Sequence, residues 1–375
     1  MEPSKAIPAE HRKLLAGYRM PAEWEPHLAT YLVWPHNRDT WPGKFEVIPP
    51  VFAQMVAAIA EFEPVRILAD SDDAIEEIRA TIATAASRSA LGRVEIFTLP
   101  TNDSWIRDHG PIFVNRNAAT GGGRAQIALD WRFSSWGEKY GRFDLDDVVP
   151  HRLAERYGFE LIEPGIVLEG GSIDVNGAGA LLTTESCLLN PNRNPHLGRA
   201  EIEDYLSTYL GVTDVIWLGD GIAGDDTDGH VDDLARFVAV DTIVTVVEED
   251  PADENFSALQ DNSKRLRAMR DRSGRPFRVE TLPMPRPIHY DNTRLPASYA
   301  NFYIVNGAVV MPTFGCPADA VAAATLARLF TERRVIRIPS TDLVWGLGAI
   351  HCLTQQHPRF ASSSASTKDN VQRGA

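Results

Sequence analysis

Apolar and polar positions along the chain follow two alternating rhythms. Short runs rich in β-branched residues recur, and between them apolar residues return every three or four positions. Val51–Phe62, after Pro49 and Pro50, reads as an apolar-rich helix, and Val65–Ala69 as a buried strand. Asp73–Ala86 places Ile75, Ile78 and Ile82 on one helical face. Strands are predicted at Val94–Leu99, Ile112–Asn115 and Ala125–Trp131, then a helix near Asp147–Tyr157. Further strands fall at Ile166–Leu168, Ser172–Val175 and Ala180–Thr184, before a helix at Arg199–Leu210. Asp214–Leu218, Leu234–Val238 and Thr242–Val247 read as strands, Glu254–Arg270 as a polar helix, and Phe277–Leu282 as a strand. Strands at Tyr303–Val305 and Val309–Pro312, a helix at Ala318–Phe330 and a strand at Val335–Ile338 complete the pattern. Because each helix returns to another strand, the fold class is α/β. Residues 1–20 read as an irregular or helical lead-in, 21–358 as one domain, and 359–375, rich in Ser and Ala, as a disordered tail.

No repeat is visible in the residues themselves, but the polar positions carry a regularity. Asp108, Glu169, His230, Asp291 and Cys352 are each 61 residues apart. If each interval is one αβ unit, five units would each bring one residue to a common centre, Asp291 being the weakest of the five.

Composition narrows the partners. A chain of 375 residues with 44% hydrophobic and 23% charged residues is expected to be soluble and globular. Its formal net charge of −14 disfavours nucleic acid and anionic membrane surfaces and favours a cationic substrate. Neither an N-terminal signal-like run nor a transmembrane stretch is present in the sequence, and Cys187, Cys316 and Cys352 are odd in number and far apart. A cytoplasmic, reducing setting is therefore expected.

Five segments carry chemistry. Gly346–Pro358 sets Cys352 beside His351 after two glycines; the thiol is either a nucleophile or a small buried apolar group. Thr101–Pro111 concentrates Trp105, Arg107, Asp108 and His109; on a helical turn Trp105 and Asp108 would share a side, suited to a cation on an aliphatic stem. In Leu168–Ser172, Glu169 leaves an apolar strand ahead of two glycines, a costly place for a carboxylate unless it is paired. Gly224–Asp233 puts His230 and Asp232 two apart, on the same face if the segment is a strand. It fits a metal site, a general acid/base His with a charge-binding Asp, or a solvated acidic turn. Asn190–Pro195 is a rigid polar loop, either a wall of a site or a connector. One Cys, one His and three carboxylates together suit covalent chemistry at a guanidinium carbon, since paired carboxylates match its N–H fork.

In order, Thr-Asn-Asp-x-Trp-x-Arg-Asp-His-Gly-Pro (101–111), Leu-Glu-Gly-Gly-Ser (168–172), Leu-Leu-Asn-Pro-Asn-Arg-Asn-Pro (188–195) and Asp-Thr-Asp-Gly-His-Val-Asp (226–232) run along the chain. Pro-Ala-Ser-Tyr-x-Asn-Phe-Tyr-Ile (296–304) and Ile-His-Cys-x-Thr-Gln-Gln (350–356) follow. With these motifs the sequence resembles the agmatine deiminase and Porphyromonas-type peptidylarginine deiminase family of the guanidine-modifying, or pentein, superfamily. The resemblance implies a five-bladed α/β propeller with pseudo-fivefold symmetry around a central site. It implies Cys352 as nucleophile, His230 as acid/base, Asp108 and Asp232 as guanidinium clamps, Glu169 as the partner of His230, and Trp105 along the substrate's methylene stem. It gives Asp291 no role. The family pattern before the nucleophile is Gly-Gly-Gly-Asn-Ile-His-Cys; here Leu347 and Ala349 depart from it.

The expected reaction is hydrolytic deimination through an amidino-cysteine, with agmatine the first substrate and N-carbamoylputrescine and ammonia the products. No metal and no organic cofactor is called for. The partner expected is a small cationic guanidino compound, with neither nucleic acid nor membrane, and association as a homodimer is left open. Free or C-terminal peptidyl arginine is the alternative substrate. A metal-dependent hydrolase built on Asp226, Asp228, His230 and Asp232, and an inactive guanidino-compound binder, are the alternatives of other classes.

Overall fold

One pattern of strand pairing recurs in five sheets of this computed structural model, which describes residues 6–117 and 124–360. A strand pairs antiparallel with the next; a helix then crosses over to a third strand parallel to the second. Ala235–Ala239, Thr242–Val247 and Arg278–Pro283 form one such sheet, with Phe256–Ala268 as the crossover helix. Tyr303–Val305, Ala308–Thr313 and Arg334–Pro339 form another around Ala318–Leu329. Asp174–Val175, Ala180–Thr184 and Asp214–Leu218 repeat it around Arg199–Leu210. Ile112–Arg116, Gln126–Leu129 and Leu161–Ile162 do so around Val149–Tyr157, and Tyr18–Arg19 adds an edge. The fifth sheet joins the two ends of the domain: Gln355–Pro358 pairs antiparallel with His27–Val33, which continues parallel to Val65–Ala69 and Val94–Thr98. A separate hairpin, His289–Tyr290 with Thr293–Arg294, stands apart from these sheets.

The crossover helices bury the faces that their periodicity predicts. Ile78 and Ile82 are buried in Ala74–Ala83, with Ile75 half-buried. Ile48–Ala60 begins earlier than expected because Pro49 and Pro50 sit in its first turn, where a missing N–H costs nothing. Among the described residues, no helix is long and apolar enough to cross a membrane. Residues 361–375 of the expected tail lie outside the described residues. The lead-in contains a helix, Ala9–Leu15, and the short edge strand.

Three expectations are corrected. Ile166–Leu168 is not a strand. It makes one isolated bridge, and the Asn194 side chain takes both the N–H and the carbonyl of Val167 in place of a ladder. His230 and Asp232 are not on a strand either: His230 precedes a 3-10 turn, Val231–Asp233. Asp291 occupies a tight hairpin corner at φ +47°, exposed and apart from any common centre.

Buried charge ties the sheets together. Arg236, fully buried in a strand, pairs with Glu23 at 2.9 Å and with Asp174 at 3.0 Å. Burial would raise the Glu23 carboxyl, but Arg236, His351 and Arg107 hold it well below the carboxylate range. Arg236→Ala leaves two buried carboxylates short of their cation and should cost about 3–5 kcal/mol. Chemical denaturation checks this; a loss under 1 kcal/mol would place the pair with weak surface ion pairs.

Candidate active site

Each of six residues sits shortly before the strand that opens its unit of the fold. Asp108 lies in the short helix Ile106–His109, ahead of Ile112. Glu169 opens the 3-10 turn Gly170–Ser172, ahead of Asp174. His230 and Asp232 precede Ala235, Asn301 precedes Tyr303, and Cys352 precedes Gln355. Asn301 thus takes the place ahead of the Tyr303–Val305 sheet that the 61-residue spacing assigned to Asp291. The inserted hairpin displaced the count, and the motif 296–304 already contained the residue.

Asp108, Trp105 and Cys352 line a cleft of about 840 Å³. His230, Asp232 and Glu169 are buried behind them. The meeting point is Gly171. A Cβ there would fall 2.6 Å from His230 Nδ1, 2.8 Å from Asp108 Oδ1 and 3.2 Å from Asp232 Oδ2. Only a glycine permits the three side chains to approach so closely. Its N–H also donates to Asp108 Oδ1 at 2.9 Å, while Trp136 Nε1 donates to Oδ2 at 3.0 Å. Trp136 is delivered by a left-handed turn, with Ser135, Trp136 and Glu138 all at positive φ. Trp105 and Asp108 share the cleft side of their turn, as their spacing predicts.

Cys352 is 6% exposed. Its sulfur takes an N–H from Asn301 at 3.0 Å and stands 3.6 Å from Asp232 Oδ2. That same oxygen is 2.7 Å from His351 Nδ1, and His351 Nε2 is 2.8 Å from Glu23. Asp232 Oδ1 is buried and has no hydrogen-bond partner, nor have the two ring nitrogens of His230. Asp232 Oδ1 is the atom that a cationic ligand with several N–H groups would satisfy. His230 Nδ1 lies 3.6 Å from Asp108 Oδ1. Glu169 is beside His230 without a hydrogen bond to it. Its Oε1 accepts from Arg193 Nε at 2.7 Å, and its Oε2 is unpartnered.

Charge opposes charge here. Burial, with Asp232, Asp233 and Asp108, pushes the Cys352 thiol well above its ordinary value. Burial alone would strip the proton from His230, but Asp108, with Cys187 and Glu169 close by, holds the imidazole well above its usual range. Burial raises Asp108 to about 6, against the pull of His230. Burial would raise Asp232 as well; the His351 hydrogen bond and the positive charge of His351, His230 and Arg236 together outweigh it and keep the carboxyl low.

Of the carboxylates considered for a metal site, Asp232 stands at the sulfur, and the other two are tied to side chains away from it. Asp226 accepts from Tyr140, and Asp228 is held by Arg193, Lys139 and Asn192. Sequence reasoning missed four groups at the site: Arg193, Asn301, Cys187 and Glu23. Arg193 and Asn301 lay inside quoted motifs; for Cys187 and Glu23 the signal was a charged Arg236 within an apolar strand and an unpaired Cys at a strand end.

Residues 19–358 match the Porphyromonas-type peptidyl-arginine deiminase family. The chain is 38% identical over 366 residues to the agmatine deiminase of Ectopseudomonas mendocina (strain ymp), covering 91% of this chain and 96% of that one. A solved structure, the agmatine deiminase of Enterococcus faecalis catalysing its reaction, superimposes with a TM-score of 0.83 at 32% identity, over 92% of this chain and 96% of that one. A Cys-to-Ser variant of C. jejuni agmatine deiminase with substrate bound gives 0.82 at 32% identity, over 92% and 97% of the two chains.

Two outcomes follow from the geometry. Gly171→Ala should lower kcat/KM about 100-fold, because side chains displaced by an ångström lose the reacting arrangement; steady-state kinetics with circular dichroism as a folding control checks it. Alkylation of Cys352, followed by peptide mass spectrometry, should be slow at neutral pH and rise well above pH 9. Asp232→Asn should move that rise to lower pH, and an unmoved rise would show that Asp232 does not act on the thiol.

Proposed function

The chain belongs to the Porphyromonas-type peptidyl-arginine deiminase family, and from that premise we propose that it hydrolyses agmatine to N-carbamoylputrescine and ammonia. It is a hydrolase acting on a C–N bond of a linear amidine. The observation that carries the reading is an unpartnered carboxylate oxygen beside one sulfur: Asp232 Oδ1 is free, and Asp108 stands across Gly171 from it. Two carboxylates placed at the edges of a flat cation bind it and fix its carbon over the nucleophile.

In the reaction as we read it, the bound guanidinium offsets the negative charge of Asp108 and Asp232, so the Cys352 thiol gives its proton to solvent in the cleft more easily and takes one back when the product leaves. The thiolate attacks the guanidinium carbon and a C–S bond forms. His230, held cationic by its carboxylate neighbours, gives its proton to the departing nitrogen as the C–N bond breaks and ammonia leaves. The amidino-cysteine is then attacked by water, which His230 deprotonates. The C–S bond breaks, releasing the ureido product and the thiolate. Trp105 lies along the methylene stem. Glu169, fixed by Arg193, supplies negative charge beside His230 without binding it directly.

The five sheets are read as blades of a propeller with pseudo-fivefold symmetry. Support comes from their common pairing pattern and from the arrival of each site residue ahead of a first strand. A cytoplasmic setting is part of the same reading, supported by three cysteines that are all free.

Cys352→Ser should abolish turnover, assayed as ureido formation, while calorimetry still registers agmatine binding; retained turnover would refute the nucleophile. The kcat/KM of the wild type should fall below about pH 6, where Asp108 takes up a proton and loses its grip on the cation. A profile flat from pH 5 to 7 would remove Asp108 from the binding step.

A further inference from the structure

Among the described residues, three groups of Cys, His, Asp and Glu bring ligand-type atoms within 4.8 Å of one another. Two belong to the active site: Glu169 with Cys187 and His230, and Asp232 with Asp233 and Cys352. The third, Asp130 with His151 and Glu163, stands outside it, and none of its members lines the cleft. One βαβ unit delivers all three. Asp130 follows the strand Gln126–Leu129, Glu163 follows the parallel strand Leu161–Ile162, and His151 is in the first turn of the crossover helix Val149–Tyr157. The N–H of Asp130 donates to the carbonyl of Ile162 at 2.9 Å, which sets Asp130 beside Glu163. The three therefore meet at the carboxyl end of two parallel strands, the end where α/β sheets bind ligands.

Their hydrogen bonding is incomplete. His151 Nε2 is 3.1 Å from Glu163 Oε1 and 3.1 Å from Asp130 Oδ2. One ring nitrogen carries at most one hydrogen, so it serves one carboxylate and leaves the other without a donor. Glu163, 67% exposed, can turn to water. The Asp130 side chain, 9% exposed, cannot, and among the described residues His151 is its one side-chain partner. Asp147 and Glu163 add negative charge at the same place. A carboxylate taken out of water without a donor is costly. An ion about 2.1 Å from two ligand atoms at a right angle separates them by about 3.0 Å. The two 3.1 Å edges already have that span. An imidazole between two carboxylates suits zinc(II), cobalt(II) or nickel(II) better than magnesium or calcium, which take oxygen ligands.

We propose that Asp130, His151 and Glu163 are the ligands of a divalent transition-metal ion, with water completing the coordination on the exposed side. The ion takes the place of the hydrogen that His151 cannot share. The Nε2 lone pair and one oxygen of each carboxylate face it, and its charge offsets the two acids. It clasps two strand ends and their crossover helix at the root of the segment that runs on to Trp136, whose indole donates to Asp108. The role is structural and does not depend on the deiminase reading.

Isothermal titration of the EDTA-dialysed protein with cobalt(II) chloride tests this on the wild type, His151→Ala and Glu163→Gln. Both substituted side chains are half or more exposed, so neither change removes packing from the core. The wild type should bind one more cobalt(II) than His151→Ala, and Glu163→Gln should bind it at least about tenfold more weakly. Saturating cobalt(II) should raise the melting temperature of the wild type by about 2 °C or more, and that of His151→Ala by less than about 1 °C. Equal stoichiometry and affinity in the wild type and His151→Ala overturns the proposal. So does a wild type that binds no cobalt(II) up to about 1 mM. An equal rise in melting temperature in both proteins overturns it too, because the ion would then be acting elsewhere, as at Cys352 or His230.

Discussion

A carboxylate buried beside a thiol is the constraint on which this structure depends. Asp232 is fully buried, and an isolated charge there would simply take up a proton. It stays ionised because one of its oxygens meets His351, which in turn meets Glu23, which pairs with Arg236. The line crosses from the segment before Ala235–Ala239 to the nucleophile's own neighbour, and then to the N-terminal side of the domain. The other Asp232 oxygen is left without a partner. A protein that builds so long a support for a single unpaired acceptor has prepared it for a cation.

That preparation has an electrostatic consequence. Acids that would hold a cation also oppose formation of the thiolate, so the empty site is quiet: the Cys352 sulfur remains a thiol and His230 remains charged. Entry of a positive group relieves the first condition, since it cancels the field that raised the thiol, while His230 keeps its proton for the departing nitrogen. A neutral compound of the same shape would leave the sulfur protonated. Selectivity for charge and activation of the nucleophile therefore come from one arrangement of carboxylates, and Gly171 makes it possible by leaving a space no larger than a methyl group empty.

Much of this was legible in the sequence, and the exceptions have physical causes. Crossover helices announced themselves through spacing, as Arg199–Leu210 and Ala318–Leu329 did. His27–Val33 gave no such signal. It is central in its sheet and buried on nearly every residue, so no alternation marks it. Gln355–Pro358 was hidden by its polarity. Its Gln and His side chains are buried but hydrogen-bonded to Pro111, Arg107 and Gln126, a satisfaction that composition cannot reveal. The regular spacing located Asp108, Glu169, His230 and Cys352, and failed at Asp291 because a hairpin had been inserted in that interval. Counting along a chain measures length, whereas the position relative to a first strand measures place in the fold. By that second measure Asn301 is the fourth residue of the series.

The same distinction explains why Glu169 was read too simply. A carboxylate at the end of an apolar segment must be paired, and the nearest named candidate was the imidazole. The structure gives it Arg193 instead, reached from the rigid Asn-Pro loop that could equally have been a plain connector. Arg193 is itself shared with Asp228 and the Thr227 carbonyl, so one guanidinium fixes both Glu169 and the turn that leads to His230. A cation bound directly to Glu169 leaves one of that residue's oxygens free to act through space, and it holds the imidazole's approach rigid from the backbone side. His230 takes its raised proton affinity from the groups packed around it, Asp108 and Glu169 with Cys187, so the imidazole holds the proton that an acid for a departing nitrogen needs.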